Sequence, residues 1–111
     1  MEKDTNMYTI NKDLTLLDAL IQIENNHYRS LIVVDGDNKV LGSLSDGDVR
    51  RALINGILLS SHIYKTMNRD CIFVKEDSTD VDVKSFFDES DIFLLPCLND
   101  ERRLVKLYFK P

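Results

Sequence analysis

The residues best suited to chemistry lie in one turn, which runs from Gly42 to Asp48 and reads Gly-Ser-Leu-Ser-Asp-Gly-Asp. The turn takes an apolar strand directly into a helix. A helix start exposes unpaired backbone N–H groups and the positive end of the helix dipole, which favours an anion such as phosphate. Ser45 adds a hydroxyl, and the Asp48 carboxylate can accept hydrogen bonds from two sugar hydroxyls. The turn is therefore a candidate phosphate and ribose site.

The same turn also fits an ordinary capped helix, with Ser45 or Asp46 as the N-cap and Asp48 opposing the helix dipole. The local chemistry of the turn by itself favours the capped helix over the phosphate and ribose site. Only the surrounding chain can favour the binding site instead. Enzymatic chemistry is not expected, because the sequence pairs no nucleophile with a base and has no Gly-rich phosphate loop.

Composition excludes several classes of protein. The chain has 111 residues, of which 43% are hydrophobic and 30% charged, as is typical of one compact soluble unit. Its net charge of −5 argues against a nucleic-acid binder, which needs a basic surface. No apolar run approaches the roughly 20 residues that span a membrane, and the polar N-terminus does not resemble a signal peptide. We therefore expect no membrane partner and a cytoplasmic location.

The cysteines and histidines do not indicate a metal site or a disulfide framework. Cys71 and Cys97 both lie in apolar runs, so buried, reduced thiols are expected. His27 and His62 have no partner at metal-ligand spacing, so zinc is not predicted. The aspartates of residues 35–37 and of the 42–48 turn are scattered, and they leave divalent-metal binding only as a minor alternative.

The chain repeats itself at an offset of 64 residues, which places Thr15 on Thr79. Both threonines are followed three residues later by an aspartate, which is the pattern of a helix capping box. At the same offset the apolar run 31–35 falls on 95–99, and the run 39–41 falls on 103–105. Three matches of the same structural character at one offset predict a tandem repeat.

Each repeat is predicted to form a strand, a helix and two more strands. Apolar periodicity and turn residues place the strands of the first repeat at 7–10, 30–34 and 39–44 and its helix at 15–26. The second repeat has predicted strands at 71–74, 92–98 and 102–109 and a helix at 79–89. A further helix is predicted at 46–55, with Gly56 as its end signal, and a short helix in the connector 57–68.

Two β-α-β-β repeats cannot bury their sheets alone, so we expect them to pack about a pseudo-two-fold axis in an α/β (α+β) fold with grooves between them. The predicted domains are residues 1–66, including the connector, and residues 67–111. The second repeat stops before a counterpart of helix 46–55, so a fragment of a longer protein is expected. The helix residues predicted to face the core are Leu16, Leu17, Leu20, Ile21 and Ile23 in the first repeat and Val81, Val83, Phe86 and Phe87 in the second.

The repeat and its turn resemble a tandem pair of cystathionine-β-synthase (CBS) domains, the arrangement called a Bateman module, over about residues 7–109. The turn from Gly42 to Asp48 matches the family pattern of Gly, two apolar or small residues, Ser or Thr, two variable residues and Asp. The stretch through Leu53, followed by Gly56, is similar to modules attached to sugar-phosphate nucleotidyltransferases and sugar-phosphate isomerases. Met67 matches the Met-rich junction of such modules.

The resemblance implies a non-catalytic regulatory module that senses an adenine nucleotide (AMP, ADP or ATP) and modulates an attached catalytic domain. S-adenosylmethionine is the less favoured ligand, and no cofactor is required. Carried over to this chain, Asp48 holds the ribose hydroxyls and Ser45 contacts the phosphate. Arg29 and Ser30 then lie beside the phosphates.

The resemblance also places the adenine in an apolar slot between the repeats. Ile72 would flank it on one side, and Ile92 or Phe93 on the other. An apolar slot with a few polar anchors suits a nucleotide. Each of these three residues also fits plain core packing, so that interpretation stays open.

The second repeat departs from the family pattern. Lys106 stands where the family glycine is expected, and Phe109 stands at the position of Ser45. The counterpart of Asp48 would be residue 112. The second site therefore lacks its phosphate and ribose ligands, and at most one site per chain is expected.

The alternative function is a structural dimerisation module that binds no small molecule. Modules of this family pair through their helices, which makes the helices beginning at Asp46 and Thr79 the interface candidates. A homodimer is expected under either hypothesis. Equilibrium sedimentation with and without nucleotide distinguishes the two.

Overall fold

The computed structural model describes residues 5–111, which form two three-stranded sheets and three α-helices. The first repeat comprises β1 (Thr9–Asn11), α1 (Leu16–Asn26), β2 (Ser30–Val34), β3 (Val40–Ser45) and α2 (Asp46–Ile54). A connector with a short 3-10 helix, Ile63–Lys65, leads to β4 (Val74–Lys75), α3 (Asp80–Glu89), β5 (Leu94–Leu98) and β6 (Leu104–Phe109). No helix within residues 5–111 is long and apolar enough to cross a membrane.

The two sheets share one topology and one register. The strand orders are β1-β2-β3 and β4-β5-β6, and in each sheet the first pair is parallel and the second antiparallel. Ser30 pairs with Ser45 in the first hairpin, and Leu94 pairs with Phe109 in the second, 64 residues later in both strands. Both hairpins carry a bulge at the equivalent place, after Val33 and after Cys97. The predicted repeat is therefore present in the strand pairing itself.

The two hairpin turns meet each other across the pseudo-two-fold axis. The Val40 N–H donates to the Arg102 carbonyl at 2.9 Å, and the Leu104 N–H donates to the Asn38 carbonyl at 3.2 Å. Asn38 and Arg102, which are equivalent positions, both adopt left-handed backbone with φ of 64° and 65°. This reciprocal pairing joins the two repeats at one edge of the sheets.

Local sequence explains where the first helix of each repeat begins. Thr15 and Thr79 are N-caps in complete capping boxes, as predicted. Each hydroxyl accepts the N–H of the aspartate three residues on at 3.2 Å, and that aspartate, Asp18 or Asp82, accepts the N-cap N–H at 3.0 Å. These hydrogen bonds from the threonine backbone and hydroxyl lower the pKa of both carboxyl groups.

The core has three parts, one within each repeat and one between the two sheets. The first packs α1 and α2 on sheet residues such as Leu31 and Leu44, which are both fully buried. The second is smaller and centres on Leu95 under α3. The third joins the repeats through Ile32 and Val40 from one sheet and through residues of the other, which are Leu94, Leu98 and Leu107.

Several predicted helix residues are not in the core. Val83 and Phe87 are buried on α3, whereas Val81 is 78% exposed and Phe86 is 36% exposed. Residues four apart lie on the same face of a helix, so Val83 and Phe87 are buried together. Val81 and Phe86 lie on other faces of α3 and are exposed to solvent. The same geometry buries Leu16 and Ile23 on α1 and leaves two predicted core residues, Leu17 and Ile21, exposed.

The predicted strand 71–74 was also placed too early. Its ladder to β5 begins only at Val74, which pairs with Cys97, so β4 is two residues long. Cys71 and Phe73 instead pack as half-buried side chains against the core between the sheets. Cys97 is buried as expected, Cys71 only partly, and both thiols are free.

Candidate ligand-binding cleft

A cavity of about 360 Å³ lies between the two repeats. One wall is formed where β2 begins and where β3 passes into α2, and the other wall is formed by the residues just before β5. Six of the seven predicted site residues line it, namely Arg29, Ser30, Ser45, Asp48, Ile92 and Phe93. Five further residues with polar side chains also line the cavity, which are Ser43, Asp46, Arg51, Asn68 and Asp91.

Ile72 is not among the residues that line this cavity. It precedes β4 in a segment without regular strand pairing, and 37% of its surface is exposed. Because the strand begins later than predicted, the backbone does not carry this side chain into the cleft. The apolar surface of the cavity comes instead from Ile92 and Phe93, both half-buried, and from Leu31, Ile32 and Leu94.

Ser45 and Asp48 form a third capping box at the mouth of the cavity. The Ser45 hydroxyl accepts the Asp48 N–H at 3.0 Å, and the Asp48 Oδ2 accepts the Ser45 N–H at 2.9 Å. The other carboxylate oxygen, Oδ1, accepts a hydrogen bond from Arg51 Nη2 at 2.8 Å. Asp48 is 25% exposed and Arg51 66% exposed. The helix-cap interpretation of the turn is therefore correct, and the second carboxylate oxygen of Asp48 is bound by an exposed, solvent-screened partner.

The loop that carries Arg29 is fixed by a buried asparagine, Asn26. The Asn26 Nδ2 donates to the Met7 carbonyl at 3.0 Å and to the Ser30 carbonyl at 3.1 Å, and its Oδ1 accepts the Tyr28 N–H at 2.8 Å. With only 3% of its surface exposed, Asn26 fixes the loop between α1 and β2. This residue was not predicted from the sequence, since nothing local marks one asparagine of the Asn25-Asn26 pair as buried.

The fixed loop places Arg29 in left-handed backbone, with φ of 61°. Its carbonyl accepts the N–H of Asp46, the first residue of α2, at 2.9 Å. Left-handed backbone costs a non-glycine residue about 1–2 kcal/mol. This cost is met by the surrounding hydrogen bonds, and the result is a guanidinium carried on the loop next to a helix N-terminus.

Gly42 allows the connector to dock on the first sheet. Asn68 exchanges two backbone hydrogen bonds with Ser43, at 3.0 and 2.8 Å, beside the edge of β3. A Cβ atom on Gly42 would lie 2.3 Å from the Asn68 carbonyl oxygen, a distance that real side chains do not tolerate. The glycine is therefore needed for the close approach that brings Asn68 to the cavity.

Residues 3–55 match the CBS domain family. The first repeat therefore carries a CBS domain, and the fold of residues 5–111 is that of a CBS-domain pair. The structure of the CBS domains of a transcriptional regulator from Streptococcus pneumoniae superposes with a TM-score of 0.80, covering 99% of this chain and 89% of that one at 16% identity.

Two further structural neighbours were solved with adenosine compounds. Protein MJ0100, in complex with 5′-methylthioadenosine and S-adenosyl-L-methionine, has a TM-score of 0.75 and 22% identity over 93% of this chain and 81% of that one. The cytosolic domain of the Mg²⁺ channel MgtE, in complex with ATP, has a TM-score of 0.74 and 21% identity over 93% of this chain and 42% of that one. At these identities the likeness establishes a shared fold.

Sequence relatives of this CBS pair are longer proteins. A protein of uncharacterised function from Helicobacter pylori strain J99 is 33% identical over 103 residues, which are 91% of this chain and 31% of that protein. Arabinose 5-phosphate isomerase GutQ from Escherichia coli K12 is 22% identical over 94% of this chain and 32% of its own length. The chain thus spans about a third of the length of these relatives.

Proposed function

We propose that this CBS pair is a non-catalytic regulatory module that binds an adenine nucleotide in the cleft between its repeats. The main observation behind the proposal is that one cavity has a polar wall and an apolar wall. Ser45 and Asp48 at a helix N-terminus form the polar wall, and Ile92 and Phe93 form the apolar wall. A nucleotide needs both, since its phosphate and ribose are polar and its base is flat and apolar on both faces. Pairs of this fold are typically regulatory, and adenosine compounds occupy two of the structural neighbours.

In the proposed complex the phosphate lies at the start of α2. Ser45 contributes its hydroxyl there, with the Ser30 hydroxyl and the Arg29 guanidinium nearby. The ribose hydroxyls donate to Asp48, and they replace the exposed Arg51 on its Oδ1 oxygen. Arg51 is then free to turn toward the phosphate, so displacing this ion pair costs little.

We propose AMP, ADP or ATP as the ligand, ahead of S-adenosylmethionine. Arg29 and Arg51 are both among the residues that line the cavity, and a guanidinium group attracts an anionic ligand. S-adenosylmethionine carries a positive sulfonium in place of the phosphate, and it offers those groups only the single charge of its methionine carboxylate.

The relatives suggest the wider setting of the module. We propose that it regulates an attached domain that acts on a sugar phosphate, of the nucleotidyltransferase or isomerase type, in the cytoplasm. GutQ, an isomerase that matches this chain over about a third of its length, supports this setting. Fusion of the chain to such a domain, assayed with and without AMP, tests the proposal through a change in turnover.

Substitution of Asp48 tests the ligand site. The expected result for Asp48→Ala is a loss of about 1.5–3 kcal/mol in AMP binding, or roughly ten- to hundredfold in Kd, because a charge-assisted hydrogen bond to the ribose is lost. Isothermal titration calorimetry measures the affinity, and a panel of AMP, ADP, ATP, GMP, CMP and S-adenosylmethionine defines the ligand class.

Asp82→Ala is the matched control, because it removes the equivalent carboxylate of the capping box of α3 far from the cavity. Both variants keep their N-cap residue and lose the carboxylate half of a capping box, at a cost of about 1 kcal/mol or less each. Only Asp48→Ala is expected to weaken AMP binding. Equal AMP affinity in the two variants would remove Asp48 from the site.

A dimerisation module is the second candidate, and exposed apolar side chains favour it. Leu17 and Ile21 on α1 are 47% and 55% exposed, and Ile54 at the end of α2 is 77% exposed. The connector lies beside α1, where the Leu17 N–H donates to the Leu59 carbonyl at 3.1 Å, and its Leu58 is 67% exposed. Apolar residues gathered on one side of a monomer mark an interaction surface. This surface adds α1 to the interface helices predicted from the sequence.

Sedimentation equilibrium tests this second candidate. We expect Ile21→Glu to convert a dimer into a monomer, whereas Glu24→Lys, an exposed charge reversal on the same helix, leaves the mass unchanged. A dimer that responds to Ile21→Glu but not to AMP would make dimerisation the main role of the chain. A monomeric wild-type chain would dismiss this role.

A further inference from the structure

The second cleft, which is related to the first by the internal repeat, is occupied by three aromatic rings. Phe109 ends β6 and pairs with Leu94, as Ser45 ends β3 and pairs with Ser30. Tyr28 lies two residues before β2, where Ile92 lies two residues before β5. Ser45 and Ile92 both line the first cavity, so their counterparts Phe109 and Tyr28 mark the equivalent place in the second cleft.

The three rings contact one another directly. The Tyr8 and Phe109 ring centroids are 4.7 Å apart, those of Tyr28 and Phe109 5.1 Å, and those of Tyr8 and Tyr28 5.7 Å. All three pairs are edge-to-face, with interplanar angles of 65–86°, which is the favoured arrangement for aromatic rings. Tyr8 is only 5% exposed, so the cluster extends into the core between the sheets.

We infer that Tyr8, Tyr28 and Phe109 form an aromatic plug that closes the second cleft and takes the space that a ligand would need. Two of the rings come from the first repeat and one from the second, so the plug also holds the repeats together opposite the open cleft. The chain is consequently a one-site module. This last statement rests on the proposed function, because it concerns which cleft takes the nucleotide.

Two measurements on the intact chain test the plug, and the first is a nuclear magnetic resonance titration with AMP. We expect nuclear Overhauser contacts among the three rings in the free protein, unchanged at saturating AMP. The amides of Ser45 and Asp48 shift, and calorimetry gives one AMP per chain. Ring shifts that follow a second binding event, or two AMP per chain, would overturn the inference.

A chain that does not bind AMP at all would refute the proposed function and leave the plug to be judged on the ring contacts. Their presence with up to millimolar AMP supports the plug, and their absence overturns it.

The second measurement is thermal unfolding of Phe109→Ala against Phe86→Ala, a phenylalanine on α3 outside the plug. Loss of two edge-to-face contacts and of the filled space is expected to lower Tm by about 5 °C or more for Phe109→Ala and by clearly less for Phe86→Ala. Equal decreases would show that Phe109 holds no special place in the packing, and would overturn the inference.

Discussion

The ends of β3 and β6 are equivalent positions in two copies of the same hairpin, yet they carry opposite chemistry. At the end of β3, Ser45 opens a helix, and its hydroxyl and the Asp48 carboxylate border a cavity of about 360 Å³. At the end of β6, Phe109 packs its ring against two tyrosines. The strand register is the same in both places, so the difference comes from the side chains and from the helix that follows β3. The same hairpin thus borders an open cavity in one repeat and packs into an aromatic cluster in the other.

The connector makes a second contrast between the repeats. It docks on β3 beside Gly42, where Asn68 and Ser43 exchange backbone hydrogen bonds. The equivalent of Gly42 is Lys106, whose side chain is exposed and lies over the Tyr108 ring at 4.7 Å. Glycine therefore occurs at the position where the connector backbone approaches the sheet closely. A long side chain occurs at the equivalent position of the other repeat.

The largest effect that tests this contrast is expected for Gly42→Ala. The new Cβ would meet the Asn68 carbonyl oxygen at 2.3 Å, and both partners are backbone that cannot move independently. We expect a loss of about 3 kcal/mol in the free energy of unfolding, measured by urea denaturation. Lys106→Ala is the matched change in the other repeat and is expected to stay within about 0.5 kcal/mol. Equal losses would mean that the connector contact is not what requires the glycine.

A smaller effect distinguishes the two clefts. A double-mutant cycle with Tyr28→Ala and Phe109→Ala is expected to give a coupling energy of about 0.5–1.5 kcal/mol, since the rings are in contact. The equivalent cycle with Ile92→Ala and Ser45→Ala is expected to be additive, because these residues lie on opposite walls of a cavity. Coupling in the second cycle would indicate that the first cleft closes in solution.

The smallest effect compares the helix starts of the two repeats, and it depends on pH. Hydrogen bonds from Thr15 and Thr79 lower the pKa of Asp18 and Asp82 below the ordinary value of 3.8. The pKa of Asp35 is also lowered, and the largest cause is the hydrogen bond that its carboxylate accepts from the Lys39 N–H in the hairpin turn. A carboxyl group whose pKa is lower in the folded state stabilises the fold above its unfolded pKa, and this contribution is lost as pH falls through the folded value. We therefore expect Tm to decrease as the pH of the solution is lowered below about 4.

Asp18→Asn and Asp82→Asn check this pH dependence, one in each repeat. Each is expected to flatten the decrease in Tm below pH 4 by a similar amount, because the two capping boxes have the same geometry. If the decrease in Tm below pH 4 is the same in both variants as in the wild type, other carboxyl groups cause that decrease. A difference between the variants would reveal unequal contributions of the two helices to unfolding.

Much of the fold was predictable from local patterns. The Thr-x-x-Asp pairs at Thr15 and Thr79 predict capping boxes, and the structure contains both because a cap needs only residues three positions apart. The strand 30–34 was predicted with its observed limits, and the offset of 64 residues reappears in the strand register. The division into domains 1–66 and 67–111 stays a prediction.

Predictions that depended on distant contacts were less accurate. Val81 was placed in the core and is 78% exposed, because the sequence shows a helix as apolar without showing which stripe meets the sheet. Asn26, Asn68 and Asp91 were missed as parts of the site or its support. Asn26 and Asn68 bond residues many positions away, as in the hydrogen bond from Asn26 to the Met7 carbonyl, and Asp91 lines the cavity with residues from the other repeat.

The sequence by itself determined the repeat, the helix starts and the residue types of the candidate phosphate and ribose turn, because these depend on spacings of a few residues or on one constant offset. Only the tertiary structure decided that Ser45 and Asp48 face Ile92 and Phe93 across an open cavity, while Tyr8, Tyr28 and Phe109 fill the equivalent space. Whether a cleft is open or filled depends on the combined volume of side chains from several distant segments, and a local sequence pattern cannot predict that volume.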